Sequence, residues 1–348
     1  MHMADALLAP AVAATMYAAS AVTAGASVKT LKKDETLTKL PTMAVTSALV
    51  FAGQMINYTI PGTGSSGHLC GGMLLSALLG PQAGFLSMVV ILTIQCLFFA
   101  DGGLMALGAN CWNMAFYGCF VGYYLIWKPI LHSSLFGKTR AAVRGRIILA
   151  SILGCVLTLQ LGAFSVVLET SLSGITELPF AAFVGIMQPI HLAIGLVEGL
   201  ITAAVLVFVY EARPELLPDG QESGAQGKLS VKATLAVLAA AVVLVGGGLS
   251  LFASGNPDGL EWTLFGNADS GYSENLGLDE EDYGLHSRAS DTAASIQEKT
   301  AFLPDYGFAD SDSAVGTTVS GLVGSAIVGG CAVLICLAGG FFRRKKTQ

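Results

Sequence analysis

Long apolar runs separated by short polar breaks organise this chain. Runs of near-spanning length fall at about 6–27, 41–60, 68–82, 84–101, 103–127, 146–168, 184–210, 230–253 and 316–342. Roughly 20 apolar residues cross a bilayer core as a helix, and a helix satisfies its own backbone polar groups there. The pattern predicts an all-α polytopic membrane protein: a seven-helix bundle, then a two-helix C-terminal module. The third run is short and stops at Gly80-Pro81. Such helices are tolerated where they line a protein interior rather than lipid.

The polar breaks set the orientation. Lys29, Lys32, Lys33 and Lys39 follow the first run. Lys128, Lys138, Arg140, Arg144 and Arg146 lie between the fifth and sixth, and Arg213, Lys228 and Lys232 between the seventh and eighth. Arg343, Arg344, Lys345 and Lys346 close the chain. Basic loops stay inside, and nine alternating helices with an outside N-terminus put all sixteen there. Met1 and His2 then lie on the extracytoplasmic side. Residues 1–210 read as one membrane domain. Residues 211–229, polar and rich in Gly and Pro, read as a cytoplasmic linker. Residues 230–342 read as a second module around an extracytoplasmic loop, 254–315, and 343–348 as a basic cytoplasmic tail. The loop carries 13 of the 24 acidic residues and two basic ones, Arg288 and Lys299. Its composition argues against a packed core of its own. Its acids act either as a general field or by specific contact near Pro257–Trp262.

Composition changes the picture in three places. Charged residues make up 12% of the chain, against about 25% in soluble domains. The seven cysteines are scattered without a CxxC pair, which predicts buried thiols and no zinc or iron–sulfur site. No Lys or Arg precedes the first run, so no signal peptide is expected and the first residues should remain on the mature protein. There is also no Walker A motif, so this chain is not expected to hydrolyse ATP or to be an enzyme.

The candidate chemistry starts at Met1-His2. A free amine, the amide nitrogen of residue 2 and the Nδ1 of a residue-2 histidine can close fused chelate rings on one metal. The rings hold three nitrogens in a plane, and planar nitrogen sets suit Ni(II) and Cu(II), with low-spin Co(II) a further fit. Amine and amide must shed protons, so binding should depend on pH. A two-residue pattern also arises by chance. A fourth nitrogen is on offer from His68, which follows a glycine-rich loop on the same side of the membrane. The loop, Gly62–Gly67, is formally GxGxxG, but no βαβ unit surrounds it. Gly67 and Gly71 also suit close helix packing. Gln54, Asn57, Asp101, Asn110 and Asn113 cluster at that level. Together with Asp5, they either orient ligating imidazoles or make ordinary interhelical hydrogen bonds. His191 and Glu198 share a helical face, as a buried pair or a second polar step. Ala14, Ala18, Ala21 and Gly25 form a small-residue stripe, for internal packing or for a partner helix. A metallo-enzyme is disfavoured, because His286 is the only loop histidine and no nucleophile–base pair stands out. A structural or signalling protein gives no reason for His2 and His68 to share a side.

Four segments carry a family likeness: the N-terminal Met-His, "GTGSSGHLCGG", "QCLFFADGGLMALGANCWNMAFYG" and "HLAIGLVEGLITA". They resemble the nickel/cobalt substrate-specific membrane component of energy-coupling factor transporters (the NikM/CbiM family), over residues 1 to about 210. "SGNPDGLEW" and "FLPDYGF" resemble the PDGLE-type additional component, NikN, over about 230–342, so the whole looks like a fused NikMN arrangement. The resemblance implies a transported metal, Ni(II) or alternatively Co(II), and no cofactor. It implies a near-planar ligand set from the Met1 amine, the His2 amide and imidazole, and His68. Asp5, Asn57, Asp101 and Asn110 are candidate residues around it. It implies a transmembrane coupling (T) component and cytoplasmic ABC ATPases as partners, no nucleic acid, and a place in a prokaryotic cytoplasmic membrane. The additional component's loop is expected to approach the metal and assist loading.

Overall fold

Glycine and proline mark where the helices of this computed structural model begin and end. The structure describes residues 1–344 except 32, 135, 138, 176, 220–226, 271, 274, 275, 277, 280–282, 310–312 and 314, and gives only the main chain of 33–39, 272–273 and 335–344. Lys32, Lys138, Lys345, Lys346 and the middle of the 211–229 linker therefore lie outside the described residues, as does most of the basic tail.

Helix α1 (Pro10–Thr30) opens on proline, whose missing N–H is no loss at a first turn. Helix α2 (Lys33–Gln54) leads to a short hairpin of β1 (Tyr58–Ile60) and β2 (Ser65–Gly67), paired Tyr58↔Gly67, Thr59↔Ser66 and Ile60↔Ser65. Helices α3 (Gly72–Leu79) and α4 (Pro81–Phe99) are separated by Gly80 at φ +84°. Helix α5 (Leu107–Asn110) continues through a π-helix, Cys111–Trp127, into α6 (Lys128–Leu131). The long pair α7 (Arg140–Leu172) and α8 (Phe180–Ala212) follows, then α9 (Val231–Gly247). Beyond it lie α10 (Gly259–Phe265), the minimal pair β3 (Gly266–Asn267) and β4 (Tyr272–Ser273), α11 (Arg288–Thr300) and α12 (Val315–Arg344).

Among the described residues five helices are long and apolar enough to cross a membrane: Pro10–Thr30, Pro81–Phe99, Arg140–Leu172, Phe180–Ala212 and Val315–Leu334. Leu40–Gln54 and Val231–Gly247 are shorter and also apolar. Two apolar runs differ from continuous spans. The second stops at Gln54 and turns into β1. The third yields only the eight residues of α3, about 12 Å of helix, and all eight are buried. The two breaks flank the segment that carries His68.

The stripe on α1 has a clear placement. Ala14, Ala18, Ala21 and Gly25 are all exposed, whereas Ala13, Ser20 and Ser27 face inward. The stripe is not internal packing. Among the described residues the acidic loop builds no separate core: its Leu260, Leu264 and Leu303 join one apolar cluster with Phe51, Phe85, Phe99 and Trp127 of the first module.

Candidate metal centre

The N-terminus is buried instead of frayed, against the usual habit of chain ends. Met1, Met3, Leu7 and Leu8 are each 5% exposed or less. Buried main chain needs partners, and polar side chains supply them. Asn110 Oδ1 accepts from the Met3 N–H at 2.7 Å and Asn110 Nδ2 donates to Met3 O at 3.2 Å, while the Gly103 N–H donates to the same carbonyl at 2.9 Å. Asp5 Oδ1 accepts from the Ala106 N–H at 2.9 Å. Burial raises the Asp5 carboxyl above its ordinary pKa, against those main-chain donors. Asp5 and Asn110 thus anchor the terminal segment through its main chain and the 102–106 turn. Gly102, at φ +78°, makes room: a Cβ there would stand 2.8 Å from Asn110 Nδ2 and 3.2 Å from the Cβ of His2.

Three expected site groups come together. The Met1 amine lies 3.3 Å from His68 Nε2. The His2 and His68 rings stack with centroids 5.2 Å apart. His2 Nδ1 lies 3.1 Å from Asp101 Oδ1. A carboxylate only accepts, so Nδ1 carries the proton, and His2 Nε2 is buried without a hydrogen-bond partner. Burial pushes the His2 pKa down to about 4, with Asp101 opposing it and the ammonium adding to it; the imidazole is neutral at pH 7. The ring nitrogen that chelation would use is therefore the one Asp101 holds. Among the described residues no three His, Cys, Asp or Glu side chains gather as a metal-binding group. The set expected here has only two histidine side chains, its other nitrogens being main-chain.

Other expected residues sit elsewhere. Asn57 contributes its main-chain carbonyl to the Ser254 N–H at 2.7 Å. Gln54 Nε2 donates to Cys70 O, and Asn113 Nδ2 to Glu169 on α7. His191 and Glu198 do not pair, since seven residues separate them by about 10 Å along the helix. Glu198 instead accepts from the Cys70 and Gly71 N–H groups at 3.0 and 2.9 Å, fixing the turn that carries His68. His191 Nδ1 lies 2.8 Å from Met187 O.

The second module contributes through the Pro257–Trp262 segment, where specific contact was one of the two alternatives, and the residue not singled out is Asp258. Asn256 and Pro257 lie along β2, where the Ser66 N–H donates to Pro257 O at 2.8 Å and Ser66 Oγ to Asn256 O at 2.8 Å. Asp258 then caps α10, accepting from Leu260 and Glu261 N–H groups, while Glu261 returns to the Asp258 N–H. Its other oxygen, Oδ2, reaches the Met1 ammonium at 2.5 Å and lies 3.8 Å from His68 Nε2. Burial opposes ionisation of Asp258, but the Met1 ammonium outweighs it and holds the carboxyl well below the usual carboxylate range. Farther along, Tyr306 donates to Asp101 Oδ2 at 2.5 Å and stacks on Phe99 at 4.8 Å. Asp305 and Tyr306 both hold positive φ, +47° and +60°, a conformation that costs non-glycine residues energy and persists only where the surroundings impose it. Gln297 on α11 clamps the 102–104 turn through Gly102 O and the Leu104 N–H.

Comparison with known proteins decides the family. The family model for the cobalt uptake substrate-specific transmembrane region, CbiM, matches residues 2–216, and that for the PDGLE domain matches 232–339. The chain belongs to the CbiM family, with a PDGLE domain behind it. This CbiM-family chain is 36% identical over 330 residues to the "Putative fused nickel transport protein NikMN" of Archaeoglobus fulgidus, covering 94% of this chain and 95% of that one. It is 33% identical over 177 residues to the cobalt transport protein CbiM of Sorangium cellulosum, 51% of this chain and 76% of that one. A crystal structure of a transition metal transporter matches with a TM-score of 0.50 at 30% identity, over 60% of this chain and 92% of that one. The relatives of this CbiM-family protein are thus nickel and cobalt transport proteins, and its apolar helices make it a multi-pass membrane protein. Asp258 could have been found from the sequence, because it lies in the segment "SGNPDGLEW" that already stood out. Tyr306 lies in the other such segment, but its partner Asp101 is 205 residues away.

Proposed function

We propose that this protein is the metal-binding membrane subunit of an ATP-driven importer of the energy-coupling factor type, with Ni(II) as its cargo. One observation carries the reading: the Met1 amine and His68 Nε2 lie 3.3 Å apart in a buried setting flanked by two carboxylates. Chelation adds the His2 amide and, once the ring turns away from Asp101 and its proton passes from Nδ1 to the unpartnered Nε2, His2 Nδ1. Import of Co(II) by the same mechanism is the second reading, supported by the cobalt transport relatives. The end-to-end likeness to a protein named for nickel favours Ni(II).

Charge balance supports exchange at this site. Metal entry drives one proton from the amine and one from the amide. The ammonium brings one positive charge. The metal brings two, and the ionised amide takes one back. Asp101 and Asp258 face the same net charge before and after, so binding needs no new counter-ion from water.

Residues 1–210 would bind the metal, 211–229 would join the modules on the cytoplasmic side, and 230–342 would bring Asp258 to the site. The protein would sit in a prokaryotic cytoplasmic membrane, and the distribution of basic residues supports a topology with Met1 outside. ATP hydrolysis would belong to cytoplasmic ABC ATPases acting through a transmembrane coupling subunit. The exposed α1 stripe offers that subunit a face open to close helix approach.

The test is nickel binding by purified protein carrying one extra residue between Met1 and His2, beside His68→Ala. Both are expected to lose square-planar absorption and binding. Wild-type affinity in the insertion variant overturns the reading. Uptake of Ni(II) against Co(II), with the coupling subunit and ATPases present, then decides the cargo.

A further inference from the structure

His68 and His191 come from different elements and present the same tautomer to one cavity. His68 Nδ1 lies 3.1 Å from Leu69 O, and His191 Nδ1 lies 2.8 Å from Met187 O. Carbonyl oxygens only accept, so in each ring Nδ1 carries the proton and Nε2 keeps a lone pair. A main-chain carbonyl on one ring nitrogen is how ligating histidines are commonly oriented for metal on the other. His68 Nε2 faces the Met1 amine. His191 is 1% exposed, and its Nε2 has no hydrogen-bond partner. A buried acceptor without a donor is costly, and a leucine at 191 would avoid the cost.

Both rings line a small cavity with Met1, Cys70, Met114 and Gly259, of accessible volume about 10 Å³. That is room for roughly one water-sized body, and a bare divalent ion is smaller than water. The competing donor there is committed, because the Cys70 thiol donates to Met114 O at 3.2 Å. Gly259 closes the cavity over the His191 ring. A Cβ at 259 would stand 3.0 Å from His191 Cε1 and 3.3 Å from Nε2, so the backbone following Asp258 lies directly on the ring edge.

We propose that His191 is a further metal ligand: its Nε2 binds the ion from outside the plane of the four nitrogens while the ion enters or leaves. The proposal rests on the four-nitrogen reading above. Planar ions of this kind exchange ligands by adding a fifth donor before losing one. In a closed cavity water is scarce, and the His191 lone pair supplies that donor. One donor bond forms, then one planar bond breaks, and the metal keeps its oxidation state.

The experiment uses the full-length protein with nickel alone. It compares wild type with His191→Asn, which keeps an amide donor for Met187 O, and with His191→Phe, which keeps the volume. Nickel affinity and square-planar absorption are expected to match wild type. The rates of nickel uptake and of release into excess chelator are both expected to fall about tenfold, one decade of rate. Wild-type rates in either folded variant overturn the proposal. Loss of the planar absorption overturns it too, by placing His191 inside the planar set. Absence of nickel binding in wild type instead overturns the four-nitrogen reading itself, and this proposal with it.

Discussion

Each module brings one carboxylate to the N-terminus, and the two meet different chemistry. Asp101, from the first module, holds a neutral imidazole at 3.1 Å and is 23% exposed. Asp258, from the second, holds a charged ammonium at 2.5 Å and is 13% exposed. Asp258 neutralises charge that burial would make very costly. Asp101 decides which nitrogen of His2 carries the proton. The comparison separates two jobs, charge balance and tautomer control, that a list of nearby acids would merge.

The largest expected effect tests the first job. Asp258→Asn keeps the shape and removes the charge, leaving the Met1 ammonium buried without a counter-ion. Removing one partner of a buried pair costs about 3 kcal/mol or more, so thermal unfolding should come markedly earlier. Nickel affinity should change far less, because the site's net charge is the same before and after binding. A collapse of affinity with little loss of stability would mean that Asp258 binds the metal directly.

The second job predicts a smaller effect of opposite sign. Asp101→Asn weakens the hold on His2 Nδ1, since charged hydrogen bonds are roughly twice as strong as neutral ones. Nitrogen NMR of labelled His2 should show the Nδ1–H form dominant in wild type and reduced in the variant. Nickel should then bind about fivefold more tightly, a gain of about 1 kcal/mol. Tyr306→Phe removes the donor to Asp101 Oδ2 but keeps the ring on Phe99, and should move neither quantity as far as Asp101→Asn does. Weaker nickel binding in Asp101→Asn would mean that the carboxylate supports the coordinated ring and does not compete for it.

The same comparison shows what the sequence could carry. The apolar runs announce a helical membrane protein because a span must satisfy its backbone within itself, a local demand written into local pattern. His2, His68 and Asp101 could be grouped because helix alternation puts them at one level. The segment of Asp258 stood out, but its partner Met1 is 257 residues distant and the contact depends on Pro257 pairing with Ser66, a tertiary choice. His191 and Glu198 looked like partners because they share a face. Each found a main-chain partner nearer to hand: Met187 O for the imidazole, the Cys70 and Gly71 amides for the carboxylate. Asn57 was grouped by its polarity, and the bond that ties it to the second module, Ser254 N–H to its main-chain carbonyl, is again a tertiary contact.

The smallest effect concerns the residue that completes the Asp258 cap. Glu261 is pushed up to about 7, chiefly by the neighbouring Asp258 carboxylate. A carboxyl whose pKa is raised on folding favours the fold below its ordinary pKa of 4.5 and loses that favour as pH rises through 7. Asp258 runs the other way: its depressed pKa gives stability that is present above 3.8 and lost only as pH falls well below that value. Of these two, only Glu261 changes between pH 4.5 and 7, so the second module should loosen slightly as pH rises across this window. The Glu261 side chain is exposed, and solvent screening should keep the effect to about 0.5 kcal/mol or less. Glu261→Gln cannot ionise and should flatten the drift while leaving the Asp258–ammonium pair in place. Thermal unfolding followed across the window in both proteins checks it. An undiminished drift in the variant would assign it to another group and leave Asp258 as the cap's sole electrostatic contribution at the N-terminus.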